Sequence, residues 1–278
     1  MDTLFVPTDF SPVARNAVHY AIDLARQLKS KKLILYHAYE IAVAADPITP
    51  MMQMIDIGEL KRGCEAGMRH FSTVQLRDFD LGDLQIETVC EMASLPGAIV
   101  EASARMNADL IVMGITGEGG IVGALFGSNS VSVAKQASVP VLIIPAEARF
   151  AGLKKVMFAC DLKKVIDTTP VGPIRRIVSE TNASLHVLHV DAQNEKFSTG
   201  KEQEIRMLNG LLGGLQPEYA FVDSNDFMQA INEYVTGNAI DMIISIPKKH
   251  GLFEGLFHRS HVKMLAFHSH VPLLIIHE

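Results

Sequence analysis

The chain repeats itself, and this internal repeat limits the possible folds more than any other feature of the sequence. Four apolar segments recur in the same order, the first two at an offset of 152 residues and the last two at an offset of 132. The pairs are Leu4–Asp9 with Val156–Asp161, Leu33–His37 with Leu185–His189, Asp109–Val112 with Asp241–Ile244, and Val139–Ile144 with Val271–Ile276. With 278 residues available, the repeat predicts two homologous domains, residues 1–148 (the first half) and residues 152–278 (the second half).

Each half alternates short apolar strands with amphipathic helices. In the first half, Ser11 supplies a helix N-cap and Pro12 a proline for the first helical turn. Apolar residues then recur at helical spacing, namely Ala14, Ala17, Val18, Ala21, Ile22, Ala25 and Leu28. Continuous apolar strands separated by helices are typical of a parallel sheet that is covered on both faces. The pattern therefore predicts an α/β fold of two tandem doubly wound parallel-sheet domains, in which ligands bind beyond the carboxyl ends of the strands.

A glycine-rich segment follows one of the predicted strands of the first half. It runs from Gly114 to Gly127, directly after the apolar residues 110–113, and Ser128 then precedes a predicted helix. The amides of such a loop and of a helix N-terminus can point at an anion, and glycines allow the ligand to approach closely. Neither the Walker spacing nor the Rossmann spacing is present. On glycine content alone, a phosphate cradle and a loop of turns that binds nothing are both compatible with the segment.

The spacing Gly114-x2-Gly117-x9-Gly127-Ser128 resembles the nucleotide-binding motif of universal stress proteins, and the resemblance spans nearly the whole chain. It implies two tandem domains of the adenine-nucleotide α-hydrolase type, related by a pseudo-two-fold axis. It also implies that ATP or another adenine nucleotide binds in the first half, with or without Mg²⁺. Thr8 and Asp9 would lie near the adenine and ribose, with the backbone of Ala38 at the base. The full set of implied binding residues is Pro7, Thr8, Asp9, Ala38, Met113, Gly114, Gly117, Gly127, Ser128, Asn129 and Ser130.

Two departures from this pattern bear on affinity. Glu118 follows the second motif glycine, where many relatives carry a basic residue, and a carboxylate beside phosphates weakens binding unless a cation intervenes. In the second half, Ile246, Lys249 and Arg259 stand at the positions of the three motif glycines, and only Ser260 matches. The second site is therefore predicted to be lost, although Lys248, Lys249 and Arg259 could hold a different anion. Asp9 and its counterpart Asp161 could each simply cap a turn.

Composition narrows the class of protein. A formal charge of −6 and a pI near 6.0 argue against a nucleic-acid binder. We expect no signal peptide and no membrane span, because no apolar run is long enough. Cys64, Cys90 and Cys160 lie far apart without a CxxC motif, which predicts free, buried thiols in a reducing, cytoplasmic compartment.

The remaining candidates are histidines and methionines. Eight of the eleven histidines lie in the second half, and the spacing of His258, His261 and His268 could suit a metal or a pH sensor. No carboxylate or cysteine completes a ligand set, so surface or interface histidines are favoured and no metal site is predicted. His37 and His189 occupy equivalent strand positions and are predicted to be satisfied core histidines. Met51, Met52 and Met54 could cover the cleft, contact a partner or simply pack.

We expect a regulatory stress-response protein of tandem form that binds a nucleotide and an unidentified protein partner. The closing strands 139–144 and 271–276 are expected to pair within the chain as a pseudo-dimer, and a homodimer remains open. An ATP hydrolase or nucleotidyl transferase is the second hypothesis, but no lysine or arginine lies between Ala108 and Val133 to stabilise phosphate charge, and no catalytic residue is assigned. The third hypothesis is a scaffold that binds a partner or a small apolar ligand and no nucleotide.

Overall fold

The computed structural model describes residues 1–40, 56–115, 128–191, 199–247 and 271–277. The elements of the first half are β1 (Thr3–Pro7), α1 (Pro12–Leu28), β2 (Lys32–Tyr39), α2 (Ile57–Leu76), β3 (Gln85–Met92), α3 (Gly97–Arg105), β4 (Leu110–Ile115), α4 (Ser128–Gln136) and β5 (Val141–Pro145). Those of the second half are β6 (Lys155–Ala159), α5 (Val165–Thr168), α6 (Val171–Thr181), β7 (Ser184–Asp191), α7 (Thr199–Leu212), a 3₁₀ turn (Gly213–Leu215), β8 (Glu218–Asp223), α8 (Phe227–Asn238), β9 (Met242–Ser245) and β10 (Leu273–Ile275).

These strands form one ten-stranded sheet in the order β3-β2-β1-β4-β5-β10-β9-β6-β7-β8. Every described pairing is parallel except the one between β5 and β10. The two halves have the same strand order. The first half contributes β3-β2-β1-β4-β5 from one edge of the sheet, and the second half contributes the equivalent strands β8-β7-β6-β9-β10 from the other edge. The predicted α/β fold with doubly wound parallel arrays is therefore confirmed.

The closing strands of the two halves pair with each other, as the sequence predicted. Leu273 lies opposite Ile143, Leu274 opposite Leu142, and Ile275 opposite Val141. The side chains of both strands are buried. The paired stretches are shorter than the apolar runs from which they were predicted. Each run begins with a Val-Pro pair, residues 139–140 or 271–272, that precedes its strand.

Two apolar cores cover the two faces of the sheet. One packs α1, α2, α6 and α7 against one face, and the other packs α3, α4 and α8 against the opposite face. Central strands such as β1, β4 and β5 are buried along nearly their whole length, whereas the edge strands β3 and β8 are only partly buried. Burial on both faces explains why the central strands are continuous apolar runs.

Helix α1 begins as its sequence predicts. The Ser11 side chain accepts a hydrogen bond from the Ala14 amide at 3.2 Å, and Pro12 occupies the first helical turn. All seven apolar residues predicted for its inner face are buried. In the second half the matching helix is split into α5 and α6, because Pro170 holds Thr169 in an extended conformation (φ −103°, ψ 108°).

Two aspartates, one directly before β4 and its counterpart directly before β9, fix the neighbouring strands. Asp109 accepts hydrogen bonds from the amides of Asp2 at 2.6 Å and Thr3 at 3.0 Å. Asp241 accepts in the same way from the amides of Lys154 and Lys155, at 2.7 and 2.8 Å. The repeated Asp-apolar motif in the sequence therefore marks a repeated backbone clamp.

Polar side chains of α1 and α6 join the two halves beside the sheet. Gln27 on α1 donates to the carbonyl oxygens of Leu153 and Thr181 at 2.9 and 3.0 Å, and accepts from the Leu153 amide at 2.9 Å. From the other side, Arg176 on α6 donates to Asp109 at 2.6 Å. The two halves are therefore connected by specific hydrogen bonds as well as by the sheet.

The prediction of three free thiols is wrong. Cys64 on α2 and Cys90 on β3 form a disulfide with a Cα–Cα distance of 6.3 Å, and Cys160 is a buried thiol outside this disulfide. The sequence spacing gave no sign of this pair because α2 lies across the edge of the sheet, which brings together residues 26 positions apart.

Within the described residues, no helix combines the length and the apolar character needed to cross a membrane.

We predict that Asp109→Asn destabilises the fold in a pH-dependent way. Burial alone would raise the pKa of Asp109, but hydrogen bonds from Arg176 and from the Thr3 and Asp2 amides lower it below its ordinary value. The ionised carboxylate therefore stabilises the fold above its unfolded pKa of about 3.9, and this contribution is lost as the pH falls through the lower folded-state pKa. Denaturant titrations should show Asp109→Asn less stable by about 1–3 kcal/mol at pH 7. This gap should begin to narrow near about pH 4 and close once the pH is below the folded-state pKa.

Arg176→Gln serves as the partner variant for this measurement. Because it removes the guanidinium that contacts Asp109, the two substitutions combined should cost less than the sum of their separate effects. A gap between the wild type and Asp109→Asn that is the same at pH 7 and pH 3 would contradict the assignment.

Candidate functional site

The sheet opens between β1 and β4, where the direction of winding reverses. The chain proceeds from β1 to β2 and β3 on one side, and then continues with β4 and β5 on the other. The described pairing of β1 with β4 ends at Phe5 and Ile111, two residues short of Pro7 and Met113. The pairing of β1 with β2 continues to Pro7. Such a switch point at the carboxyl ends of parallel strands is where open α/β sheets bind ligands.

A tight turn between β1 and α1 forms one wall of this crevice. The Thr8 hydroxyl accepts a hydrogen bond from the Phe10 amide at 3.0 Å. The Asp9 carboxylate accepts one from the Ser11 amide, also at 3.0 Å. Phe10 has a φ of 65°, which is uncommon for a bulky residue, so these bonds hold the backbone in a costly conformation. Asp9 is exposed at this turn. It therefore does cap a turn, and its exposed carboxylate can also meet a ligand.

The same turn recurs in the second half with different chemistry. The Cys160 sulfur accepts from the Leu162 amide at 3.4 Å, and Asp161 accepts from the Lys163 amide at 3.0 Å. Leu162 has a φ of 53°, close to that of Phe10. Asp161, however, is only 4% exposed. The turn is therefore a property of the fold, whereas exposure of the aspartate is a property of the first half.

His37 and His189 each bond the turn before them, but neither is the satisfied core histidine that was predicted. His37 is only half-buried, and the buried Nε2 of His189 has no hydrogen-bond partner within the described residues. The Nδ1–H of His37 donates to the Thr8 carbonyl at 2.7 Å, and that of His189 donates to the Cys160 carbonyl at 2.9 Å. Each donation fixes the tautomer and joins the second strand of its half to the turn that follows the first. The ring centroids of His37 and Phe10 also lie 4.4 Å apart, so the His37 ring packs against the turn.

The other wall of the crevice is the end of β4, where Gly114 lies. Gly114 has a packing role that the sequence did not show. A Cβ atom placed on Gly114 would lie 2.6 Å from Val13 Cγ1 and 2.7 Å from the Val13 carbonyl oxygen. Glycine is therefore required for the first turn of α1 to approach β4. The Gly114 carbonyl oxygen also accepts a hydrogen bond from the Ser130 hydroxyl at 2.9 Å, which ties the first turn of α4 to the end of β4.

Ala38 lies on the open side of β2. The last pair between β1 and β2 joins Pro7 to Tyr36, and β2 continues to Tyr39 beside β3. On the neighbouring strand β3, Glu91 is in register with Ala38. The Glu91 carboxylate accepts a hydrogen bond from the Tyr36 hydroxyl at 3.1 Å and forms an ion pair with Arg105. Burial and the bond to Glu91 raise the pKa of Tyr36, so this phenol stays neutral at ordinary pH. The Glu91 carboxylate, in register with Ala38, is thus already bonded to Tyr36 and Arg105.

The structure brings together part of the set of residues implied by the motif. Pro7, Thr8 and Asp9 come from β1 and its turn, Ala38 from β2, Met113 and Gly114 from β4, and Ser128, Asn129 and Ser130 from the first turn of α4. Met113 is buried, whereas Asn129 is exposed. The remaining predicted residues lie outside the described ranges, namely Gly117 and Gly127 with Glu118 beside them.

The corresponding place in the second half is filled. Ile246 stands where the first half has Gly114, and it is 4% exposed. It belongs to the same buried cluster as Leu162 and Val165. An apolar side chain therefore occupies this end of the strand, and the loss of the nucleotide site in the second half stays a prediction. The other residues proposed for this region, Lys248, Lys249, Arg259, Ser260, His258, His261 and His268, lie outside the described residues, as do Met51, Met52 and Met54.

No group of three or more histidine, cysteine or acidic side chains is arranged to hold a metal ion within the described part of the chain.

Comparisons with known proteins agree with this architecture. The sequence model of the universal stress protein family matches residues 1–145. A universal stress protein of Methanocaldococcus jannaschii is 30% identical over 141 residues, which cover 51% of this chain and 80% of that protein.

Two solved structures share the fold over the whole chain. A universal stress protein from Archaeoglobus fulgidus superposes with a TM-score of 0.71 at 18% identity, covering 99% of this chain and 98% of the other. A functionally unknown protein from Pseudomonas aeruginosa PAO1 gives a TM-score of 0.57 at 13% identity, covering 100% and 92%. With a family match over more than half of its length, the chain belongs to the universal stress protein family.

Proposed function

We propose that the first half binds an adenine nucleotide in the crevice between the carboxyl ends of β1 and β4, and that this binding serves a regulatory role in a stress response. The observation that carries the proposal is the opening of the sheet at its switch point, with the exposed Asp9 on one wall and Gly114 on the other. Family membership supports it, because the spacing that resembles the family's nucleotide-binding motif begins at Gly114.

Each wall suits a different part of the nucleotide. The Asp9 carboxylate can accept hydrogen bonds from ribose hydroxyls, while the backbone of Ala38 suits the hydrogen-bonding edge of adenine. The first turn of α4 begins at Ser128, so its amides and the positive end of the helix dipole favour phosphate oxygens. The bond from Ser130 to Gly114 holds that helix terminus at the end of β4.

The charges around the site favour a modest affinity. No lysine or arginine lies between Ala108 and Val133, and Glu118 adds a negative charge inside the motif. Phosphate groups would thus be held by main-chain amides and a helix terminus, without a charge-assisted partner. A regulatory site that responds to changes in nucleotide concentration can work at such an affinity, whereas efficient phosphoryl transfer needs cationic stabilisation of the transition state.

The proposal keeps the second half free of nucleotide. It also places the protein in the cytoplasm on the basis of its family, since the Cys64–Cys90 disulfide removes the argument from free thiols. The buried Ile246 and the buried Asp161 support the absence of nucleotide from the second half. Ile246 stands where the first half has Gly114, and Asp161 does not expose its carboxylate. An unidentified protein partner would respond to the nucleotide-bound state of the first half.

We predict that Asp9→Asn weakens the binding of AMP and ATP by about tenfold, because a charge-assisted acceptor is lost. Asparagine keeps an oxygen for the Ser11 amide, so the turn and the melting temperature should be preserved. Isothermal titration calorimetry on the full chain is the measurement. Asp161→Asn is the matched control, since Asp161 makes the same turn in the second half and should leave the affinity unchanged.

Equal losses in Asp9→Asn and Asp161→Asn, or no loss in either, would show that the crevice between β1 and β4 is not the nucleotide site.

We predict that Mg²⁺ strengthens the binding of ATP more than that of AMP. The first half carries a formal charge of −6, so the additional phosphates of ATP meet unfavourable electrostatics that a divalent cation offsets. In EDTA, calorimetry should show that ATP binds no more tightly than AMP. With Mg²⁺ present, ATP should bind more tightly than AMP. ATP binding that is tighter than AMP binding in EDTA would contradict this account of the charges.

We predict that the protein is not an efficient ATPase. With saturating Mg·ATP, steady-state phosphate release should stay below about 1 per second, because the described walls offer no cationic group at the phosphate end. The Asp9→Asn variant should release phosphate at the same residual rate if that rate is incidental. Faster turnover that Asp9→Asn abolishes would favour the enzyme hypothesis.

A further inference from the structure

Helix α2 is held unevenly along its length. Its fully buried side chains are Met68 and Phe71, both in the C-terminal half of the helix. Ile57 and Leu60 lie on the same helical stripe but are 52% and 38% exposed. Helix α1, by contrast, buries nine side chains along its whole length. Hydrophobic burial therefore anchors one end of α2 and leaves the other end weakly attached.

The disulfide lies at the boundary between these two parts. Cys64 belongs to the stripe that contains Leu60 and Met68, and it bonds to Cys90 on the edge strand β3. Closing this link restrains a loop between residues 26 positions apart. The N-terminal half of α2 is thus held to the sheet by a covalent bond where burial of apolar surface is small.

The two cysteines of this pair differ from Cys160 in exposure, although Cys90 also packs against the apolar core. Cys64 and Cys90 are partly exposed, whereas Cys160 is 4% exposed. Thiol–disulfide exchange requires direct attack on a sulfur atom, so access decides which cysteines react. The chain therefore contains one reactive pair and one buried thiol that serves as an internal reference.

We infer that Cys64 and Cys90 form a reversible oxidation site, a dithiol that low-molecular-weight disulfides oxidise to the observed disulfide, and that oxidation fixes the N-terminal half of α2 against β3. The inference does not depend on nucleotide binding.

The exchange chemistry balances without any further reactant. One cysteine thiolate attacks the small disulfide, forms a mixed disulfide and releases one small thiol. The other thiolate then attacks the protein sulfur of that mixed disulfide, closes the Cys64–Cys90 bond and releases the second small thiol. Two electrons and two protons pass from the protein dithiol to the small disulfide, and reduction by excess small thiol runs through the same steps in reverse.

The pair lies close to the elements that form the crevice. Cys90 is in register with His37, whose Nδ1–H bonds to the Thr8 carbonyl. On the helix side, Phe71 of α2 packs on Phe10 with ring centroids 5.2 Å apart, and Phe10 packs on His37. The buried, C-terminal half of α2 therefore packs against the turn that contains Asp9.

The second half has no equivalent site. Phe221 is in register with His189, where the first half has Cys90 in register with His37. An aromatic side chain at this position cannot form the link, so oxidation distinguishes the two halves. Helix α7, which covers the second half on the same face of the sheet, is the natural internal control.

The test uses the full chain equilibrated in buffers of oxidised and reduced glutathione, without nucleotide. Alkylation after unfolding, followed by peptide mass spectrometry, counts the free thiols at each position. We expect Cys64 and Cys90 to lose their thiols together as the oxidised fraction rises, and to regain them in excess reduced glutathione. Cys160 should remain a thiol throughout.

Hydrogen exchange on the same samples reports the structural consequence. Amides in the N-terminal half of α2 should exchange at least about tenfold faster in the reduced protein, while those of α7 should not change. Cys64→Ser and Cys90→Ser should exchange like the reduced protein in every buffer. Cys160→Ala, the matched control, should switch like the wild type.

Three results would each overturn the inference. They are thiols at positions 64 and 90 that persist in a large excess of oxidised glutathione, a disulfide that survives a large excess of the reduced form, and equal exchange of α2 in both states. If Cys64→Ser folds poorly, Cys90→Ser and Cys64→Ala provide the same comparison.

Discussion

The antiparallel pairing of β5 with β10 is the interaction on which the architecture depends. Each half is a five-stranded array whose last strand would otherwise present unpaired backbone groups and a buried-type apolar surface to water. Pairing these strands with each other satisfies both edges at once and produces one ten-stranded sheet with a core on each face. The hydrogen bonds of Gln27 and the contact between Arg176 and Asp109 then add specificity to a junction that the strands create.

The two halves show how one backbone design accommodates different residues at the end of the same strand. Both retain the aspartate clamp, the histidine that bonds the turn after the first strand, and a bulky residue at positive φ in that turn. They differ at the strand end, where glycine in one half corresponds to the buried Ile246 in the other. Because the shared features are local hydrogen bonds to the backbone, the fold tolerates either residue at this strand end.

Asp9 and Gly114 illustrate why sequence alone could not separate structural from functional roles. Asp9 accepts the Ser11 amide and also exposes its carboxylate, and Gly114 allows Val13 to approach while forming part of the crevice. The spacing of the glycine motif identified the segment, and the crevice beside it was predictable from the strand order of doubly wound folds. The packing of Gly114 was not predictable, since Val13 lies about a hundred positions earlier in the chain. The Cys64–Cys90 pair escaped prediction for the same reason.

The sequence by itself determined the elements and their order, because helical spacing, alternation of strands with helices, and caps such as Ser11 and Pro12 depend on neighbouring residues. It also determined the repeat and the substitution of Ile246 for a motif glycine. Only the tertiary structure decided that Asp9 is exposed while Asp161 is buried, that α2 is anchored at one end, and that Cys64 meets Cys90. Burial and contact between distant residues arise from how elements pack across the sheet, and no local pattern in the chain encodes those distances.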